Sequence, residues 1–310
     1  MRTMMAMTLA AGLFAASPLP AHAKAAHAKA APAKTAPAKS LPAAIYTDPA
    51  PDALHPARME ALRIPSGGVE INGIAYLAAG DGPHPTLVLC HGWPGNEKNL
   101  DLAQAVRRAG WNVVTFNYRG SWGSPGSFRF AQNPEDARAV LAFLRDPANA
   151  EKLGVDSKRI AIMGHSMGGW VTAMVAGGDE NLIGAGLISA ANMGLVRALG
   201  RDNVIKVAAS NSATLADTSP EAMADELIAS GDAFDFVKAA PGLARKPLLV
   251  LSSDDDLAPH TDALIAAVRK NGGTHITSYH AATDHGWSDH RVDLAAQVIR
   301  WLQTLEAPRD

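Results

Sequence analysis

Short apolar runs typical of buried β-strands alternate with helical patterns along most of this 310-residue chain. Runs that are apolar on both faces are typical of parallel strands covered by helices on both sides. Strands alternating with helices predict a doubly wound α/β domain with a mostly parallel sheet. The predicted strands cover residues 69–78, 86–90, 111–118, 159–163, 182–189, 247–252 and 275–280. The predicted helices cover residues 96–109, 134–145, 167–176, 261–271 and 288–305.

The alternation stops between residues 190 and 245, where weak helical patterns with polar breaks replace the strands. We interpret this stretch as an insertion, a small cap over the edge of the sheet. Such insertions often control access of the substrate, although a simple surface excursion has the same pattern.

Residues 1–23 have the pattern of a secretory signal peptide. Arg2 gives a positive start, an apolar stretch follows, and the segment ends in Ala-His-Ala, so cleavage is expected after Ala23. A first helix of the fold is the alternative, but Pro18 and Pro20 would end it early. The mature protein is therefore predicted to be periplasmic or secreted.

Residues 24–57 are interpreted as a linker, and residues 58–310 as the folded domain. Alanine, proline and regularly spaced lysine dominate the first part of the linker, and proline recurs up to Pro56. Such a composition offers little apolar surface for burial, which favours a disordered or partly extended spacer.

The overall composition excludes several classes of protein. Hydrophobic residues make up 47% of the chain, which is enough for a core, and the net charge of −2 gives no reason to expect a nucleic-acid partner. No apolar run approaches the ~20 residues that a membrane-spanning helix needs. Cys90 is the single cysteine, which excludes a disulfide framework and a multi-thiolate metal site. We interpret it as a buried structural thiol.

The sequence Gly-His-Ser-Met-Gly at 164–168 follows a predicted strand directly and opens a predicted helix. Strand, G-x-S-x-G and helix together are the context of a nucleophile elbow, a sharp turn that exposes the serine hydroxyl. Ser166 is therefore the candidate nucleophile, and the backbone N–H of Met167 is a candidate donor to an oxyanion.

A second motif, His-Gly-Trp-Pro-Gly at 91–95, follows the predicted strand 86–90. A loop in this position can supply the second oxyanion donor, and Trp93 is placed for it, since Pro94 has no N–H. His91 is interpreted as a residue that orders this loop and not as a catalytic base.

With these two motifs in place, the chain resembles the α/β-hydrolase superfamily. Within it, the chain is similar to the serine-aminopeptidase-like and dienelactone-hydrolase-like serine hydrolases, which are related to prolyl oligopeptidase. The resemblance covers roughly residues 67–305 and includes a third motif, Tyr-Arg-Gly-Ser-Trp-Gly-Ser at 118–124. It implies the α/β-hydrolase fold, a serine nucleophile whose mechanism needs no cofactor, and a structural role for Arg119.

In these hydrolases an acid follows the serine in the chain and a histidine comes last. Three adjacent carboxylates, at 254–256, directly follow a predicted strand. The resemblance places a proline four residues after the acid, so Pro259 selects Asp255, with Asp254 as the alternative. Ser252 stands where such relatives usually carry glycine. The acid would hold the Nδ1–H of the histidine.

His285 is the candidate base, because it lies beside a glycine in a loop before the final predicted helix. His280 is the fallback and falls within a predicted strand, whereas His290 falls within the final helix. Together with His275 these residues recur every five positions, which matches neither a helix face nor a strand face. That spacing argues against a metal site.

These observations predict an exported serine esterase that works through a Ser166, His285 and Asp255 acyl-enzyme mechanism on a small ester. A serine peptidase or amidase of aminopeptidase type, acting on short peptides, is the alternative. Glu221, Asp225 and Glu226 in the insertion are candidates to bind a free amine. Thioesterase, acyltransferase and non-catalytic binding functions rank lower, and the oligomeric state cannot be predicted.

Overall fold

The computed structural model describes residues 40–306, and the compact unit within it begins at Leu41. The predicted signal peptide and most of the predicted linker lie outside the described residues. None of the described helices is both long enough and apolar enough to cross a membrane.

Within this region an eight-stranded sheet has the order β1-β2-β4-β3-β5-β6-β7-β8. Its strands are β1 (Arg58–Ser66), β2 (Val69–Leu77), β3 (His84–Cys90), β4 (Asn112–Phe116), β5 (Val155–His165), β6 (Leu182–Ile188), β7 (Leu248–Ser253) and β8 (Ile276–Ala281). Strand β2 pairs antiparallel with β1 and β4, and all the other pairs are parallel. The predicted mostly parallel sheet is confirmed.

Helices lie between these strands, as the alternating pattern predicts. They are α1 (Leu100–Arg108), α2 (Asn133–Arg145), α3 (Pro147–Leu153), α4 (Met167–Ala176), α5 (Arg201–Ser210), α6 (Pro220–Ala229), α7 (Ala240–Leu243), α8 (Ala258–Lys270) and α9 (Arg291–Glu306). Short 3-10 helices cover Ala43–Ile45, Phe130–Gln132, Met193–Leu199 and Phe236–Ala239. Neither β1 nor α3 was predicted from the sequence.

Two buried clusters cover the two faces of the sheet. In β3, Val88 belongs to one cluster and its neighbours Leu87 and Leu89 to the other, as the alternation of side chains along a strand requires. Helices α2, α4 and α8 contribute to the first cluster, and α1 and α9 to the second. The sheet is therefore covered on both faces, which explains why its parallel strands are apolar throughout.

The stretch between β6 and β7 contains α5, α6 and α7, and backbone hydrogen bonds tie it to the loop that follows β4. Trp122 N–H donates to Thr214 O at 3.0 Å, and Phe128 N–H donates to Ala216 O at 3.0 Å. Ala216 N–H in turn donates to Gly120 O at 2.7 Å. These bonds fix the segment between α5 and α6 beside the loop that follows the carboxyl end of β4.

The segment that precedes β1 contacts the helices on one face. Arg108 Nε donates to Ala44 O at 2.6 Å, and its Nη2 donates to Ile45 O at 3.1 Å. The cationic side chain near the end of α1 thus binds carbonyl groups of the 3-10 helix at 43–45.

Candidate active site

Ser166 lies between the last residue of β5 and the first residue of α4, with φ 57° and ψ −122°. A positive φ is rare for a residue with a side chain and costs free energy, so the surrounding structure must impose it. Ser166 N–H donates to Ile188 O at 2.9 Å, and its own carbonyl accepts from Ala191 N–H at 3.1 Å. The turn is thereby held against the end of β6.

Two glycines make this sharp turn possible. A Cβ on Gly164 would lie 2.0 Å from Gly168 O, and a Cβ on Gly168 would lie 2.1 Å from Cys90 O. Both distances are far below a van der Waals contact with a carbonyl oxygen, and in both cases the neighbour is backbone. The turn therefore has the geometry that the G-x-S-x-G motif predicts.

The loop at 91–95 lies directly against this turn. A Cβ on Gly92 would come within 3.0 Å of Ser166 Cβ. The loop is held from the other side by Tyr118, whose hydroxyl donates to His91 O at 3.2 Å, and by Trp122, whose Nε1 donates to Pro94 O at 2.8 Å.

The two predicted oxyanion donors belong to these two segments. Met167 is the first residue of α4, and its N–H has no partner within its own helix. Across residues 40–306, no hydrogen bond uses the backbone N–H of either Met167 or Trp93. Both groups are therefore available to an incoming acceptor.

The imidazole of His91 is buried, and its Nδ1 donates to Gly92 O at 2.8 Å. Burial lowers the pKa of His91 to about 4, so the ring is neutral at physiological pH. A neutral ring bound to the backbone of its own loop agrees with the interpretation of His91 as a loop-ordering residue.

Asp255 and His285 form a close pair, with 2.7 Å between Oδ2 and Nδ1. The Asp255 side chain is 5% exposed. Burial by itself raises the pKa of Asp255, but hydrogen bonds from His285, the Leu257 N–H and the Ser253 hydroxyl outweigh it and lower that pKa to about 2. Asp255 is therefore a carboxylate that fixes Nδ1 of His285 as the protonated nitrogen.

The alternative candidates make a different pair. His280 lies in β8, and its Nε2 is 2.9 Å from Asp254 Oδ1, while its Nδ1 is 3.0 Å from Ser252 Oγ. His280 and Asp254 are both more than half exposed. The structure thus brings Asp255 to His285 and joins Asp254 to His280.

His290 lies one residue before α9, and its Nδ1 is 2.9 Å from Asp289 Oδ1. The sequence predicted that His290 lies within the last helix, which is wrong, because α9 begins at Arg291. The described part of the chain contains no group of three or more His, Cys, Asp or Glu side chains arranged to hold a metal ion.

No hydrogen bond joins Ser166 to His285 in the part of the chain that the structure describes. Hydrogen bonds between a nucleophile and its base are often long before substrate binds and shorten in the complex. The two segments are instead joined through His165, whose Nε2 donates to His285 O at 2.7 Å. The rings of His165 and His285 lie 4.6 Å apart between centroids.

Residues 87–298 match the sequence profile of the Alpha/beta hydrolase family. The chain belongs to this family. The match covers more than half of the hydrolase, from β3 to α9, and includes the two loops and the elbow described above. The resemblance and fold predicted from the motifs are confirmed at the level of the family.

Relatives with curated sequences match only part of the hydrolase. An uncharacterized protein of Mycobacterium tuberculosis is 29% identical over 129 residues, which is 41% of this chain and 44% of the relative. An uncharacterized 31.7 kDa protein of Escherichia coli is 34% identical over 105 residues, which is 32% of this chain and 35% of the relative. The chain thus spans less than half the length of these relatives.

Solved structures match across most of the described fold. A hyperthermophilic esterase from Pyrobaculum calidifontis has a TM-score of 0.60 at 20% identity, covering 83% of this chain and 88% of that one. The acylaminoacyl peptidase of Pyrococcus horikoshii has a TM-score of 0.62 at 17% identity, covering 80% of this chain and 41% of that one. Identities this low show a shared fold alone.

Three acidic side chains of α6 were predicted as candidate amine ligands, and each has a partner in the hydrolase. Asp225 accepts two hydrogen bonds from Arg201, at 2.7 and 3.0 Å. Glu226 accepts from the backbone N–H groups of residues 130 and 131, at 3.1 and 2.8 Å. Glu221 accepts from its own N–H and from Ser219 in the first turn of α6.

Two further residues of the site carry no motif that would reveal them. His260 Nδ1 accepts from Asn192 N–H at 3.2 Å, and burial lowers the pKa of His260. Arg291 donates to Gly286 O at 3.0 Å and to Asn99 Oδ1 at 3.0 Å. Arg291 thus connects the loop that carries His285 to the start of α1.

Proposed function

We propose that the protein is an exported serine hydrolase that cleaves carboxylic esters. Ser166 is the nucleophile, His285 the general base and Asp255 the acid that orients it. The observation that carries this proposal is the 2.7 Å contact between Asp255 and His285, in a loop that is bound to the residue preceding Ser166.

The reaction proceeds through an acyl-enzyme. As Ser166 Oγ attacks the acyl carbon, its proton passes to Nε2 of His285, while the carboxylate of Asp255 stabilises the imidazolium. The N–H groups of Met167 and Trp93 donate to the oxyanion of the tetrahedral intermediate. The C–O bond to the alcohol then breaks, and the alcohol leaves with the proton from His285. Water, deprotonated by the same histidine, hydrolyses the acyl-enzyme.

An ester substrate is favoured over a peptide with a free amino terminus. A peptidase of aminopeptidase type needs an uncompensated carboxylate to bind the ammonium group of its substrate. Asp225 is neutralised by Arg201, and Glu226 has both oxygens on backbone N–H groups. Glu221 accepts from its own N–H and from Ser219. Each of the three candidate carboxylates thus already has hydrogen-bond donors of this chain.

Export is part of the proposal, and it rests on the signal pattern of residues 1–23. We expect the secreted or periplasmic protein to begin at Lys24. Mass spectrometry of the intact protein recovered from the periplasm and the medium tests this expectation. An unprocessed amino terminus on protein that remains in the cytoplasm would contradict it.

The mature protein is tested with a fluorophosphonate probe, p-nitrophenyl esters of increasing acyl length and aminoacyl p-nitroanilides. We expect probe labelling and ester turnover, and the loss of both in Ser166→Ala. Ser252→Ala is the matched control, because Ser252 also contacts a histidine, His280. It should retain wild-type labelling.

Each other outcome has a distinct meaning. Hydrolysis of the aminoacyl p-nitroanilides but not of the p-nitrophenyl esters would favour the peptidase function. Absence of labelling in the folded wild-type protein would contradict a serine nucleophile and favour a non-catalytic function.

A further inference from the structure

His165 and Ser166 are consecutive, so any group that His165 binds is held in a fixed relation to the nucleophile. His165 is the last residue of β5, and its ring is buried. Its Nε2 lies 2.7 Å from His285 O, although the two residues are 120 positions apart in the chain. The ring planes of the two histidines are inclined at 44°.

The same imidazole also lies against the loop that carries Trp93. A Cβ on Gly92 would be 3.6 Å from His165 Nδ1 and 3.3 Å from His165 O. The turn that carries Ser166, the loop at 91–95 and the loop that carries His285 therefore all lie against the side chain of His165. The acyl-enzyme mechanism itself does not use this side chain.

The contacts define one protonation state of this ring. A carbonyl oxygen only accepts, so Nε2 carries the proton. Nδ1 is buried and has no hydrogen-bond partner among residues 40–306. Burial is the main cause that lowers the pKa of His165, and the charges of His285 and Arg291 act in the same direction. The hydrogen bond to His285 O and the charge of Asp255 oppose them, and the resulting pKa is about 4. A neutral ring matters here, because a second cation would oppose the imidazolium that forms on His285.

On the basis of the proposed function, we infer that His165 is a positioning residue. Its Nε2–H holds the backbone of His285, and its ring face limits the rotation of the His285 imidazole. A single residue of the elbow thereby fixes the position of the base relative to the nucleophile. The inference goes beyond the triad, because His165 acts through His285 and takes no part in the bond changes of the proposed mechanism.

Two substitutions test the inference. His165→Phe keeps a planar ring but removes the donor, and His165→Gln restores an N–H that can reach the same carbonyl. We expect kcat of the Phe variant to fall about 10- to 100-fold, since small displacements of a catalytic group have effects of this size. KM should change by less than about twofold, because substrate contacts are unaltered.

The pH profile separates positioning from a purely structural role. In the plot of kcat against pH, the acidic limb should shift in the Phe variant and return towards its wild-type position in the Gln variant. His84→Phe is the matched control, since His84 also contacts a carbonyl through Nε2, at 3.1 Å from Gly80 O, remote from the elbow. Equal kinetics in the His165→Phe and His84→Phe variants, with Ser166→Ala inactive, would overturn the inference and leave the proposed function intact.

A measurement on the unmodified protein covers the case in which the Phe variant does not fold. Nitrogen-15 NMR of histidine-labelled enzyme should show His165 as the Nε2–H tautomer throughout pH 6–8. Assignment uses the resonance that is lost in the Gln variant. An Nδ1–H tautomer would overturn the contact on which the inference depends.

Discussion

Asp255 and Asp254 are adjacent in the chain but bind different histidines. Asp255 Oδ2 lies 2.7 Å from His285 Nδ1, and Asp254 Oδ1 lies 2.9 Å from His280 Nε2. The first pair is joined to the elbow through His165, and the second lies at the exposed edge strand β8. The difference in pairing distinguishes two carboxylates that the sequence alone leaves as alternatives for the acid.

The first prediction follows from that difference. Asp255→Asn should lower kcat of ester hydrolysis about 10³- to 10⁴-fold, because the amide no longer fixes the histidine tautomer or stabilises its cation. The readout is the steady-state rate on a p-nitrophenyl ester. Asp254→Asn is the control and should retain activity within about twofold. A comparable loss in both variants would contradict the assignment of the acid.

The second prediction concerns the elbow. Gly168→Ala would place a methyl group 2.1 Å from Cys90 O, so the end of β3 or the start of α4 must move. We expect fluorophosphonate labelling to be abolished and the melting temperature to fall. Gly178→Ala is the control, because the nearest atom to its added methyl group is Val175 O at 3.9 Å. Normal labelling of a folded Gly168→Ala variant would show that the turn is less constrained than its geometry indicates.

The sequence predicts those parts of the fold in which a local pattern and its tertiary environment agree. Buried parallel strands leave a clear apolar pattern, and seven of the eight described strands match predicted ones. Strand β1 was missed although Leu62 and Ile64 alternate with exposed residues in it. Pro65 lies within β1, which is an edge strand, where the absent N–H of proline is tolerated.

Features that depend on contacts between residues far apart in the chain could not be predicted from the sequence. Asn133 precedes a proline at the start of a predicted helix, a pattern that favours a capping residue, but its side chain is buried and Nδ2 donates to Met167 Sδ at 3.3 Å. The last helix begins at Arg291, later than expected. Trp287, which precedes it, adopts a positive φ of 58° and donates from its indole to Ser189 Oγ at 3.0 Å, a partner far away in the chain. The contact between His165 and His285 likewise leaves no local signal.

The third prediction concerns the turn after β4. Asp136 is fully buried and accepts from Ser66 Oγ at 2.6 Å, from Arg119 Nε at 2.6 Å and from Arg119 N–H at 2.8 Å. Asp136→Asn should lower the free energy of unfolding by about 3–5 kcal/mol, because Arg119 loses its buried counter-charge. Urea denaturation at neutral pH measures this effect.

Glu135 provides a matched control for that experiment, since it binds the same guanidinium at 2.7 Å but is 61% exposed. Exposed ion pairs contribute about 0–1 kcal/mol, so Glu135→Gln should have a small effect. Equal losses in the two variants would show that burial does not distinguish the two carboxylates. The result would also test the structural role assigned to Arg119.

The fourth prediction concerns stability in acid. Burial lowers the pKa of both His91 and His165 from an ordinary value of 6.5 to about 4. Between these values the unfolded chain binds more protons than the folded protein, so lowering the pH favours unfolding. The stability associated with the two neutral rings is fully present above pH 6.5 and is lost as the pH falls towards 4. Asp255, with a pKa lowered to about 2, loses its contribution only below about pH 4.

Each buried histidine contributes a slope of up to about 1.4 kcal/mol per pH unit in this window, and the two together contribute up to twice that slope. The free energy of unfolding from urea denaturation between pH 4.5 and 7 gives the measured slope. His165→Gln removes one of the two titrating rings, so its contribution to the slope should disappear while that of His91 remains. An unchanged slope in a folded Gln variant would mean that His165 binds its proton equally well in the folded and unfolded states. That outcome would also remove the reason for expecting a neutral ring beside His285 during turnover.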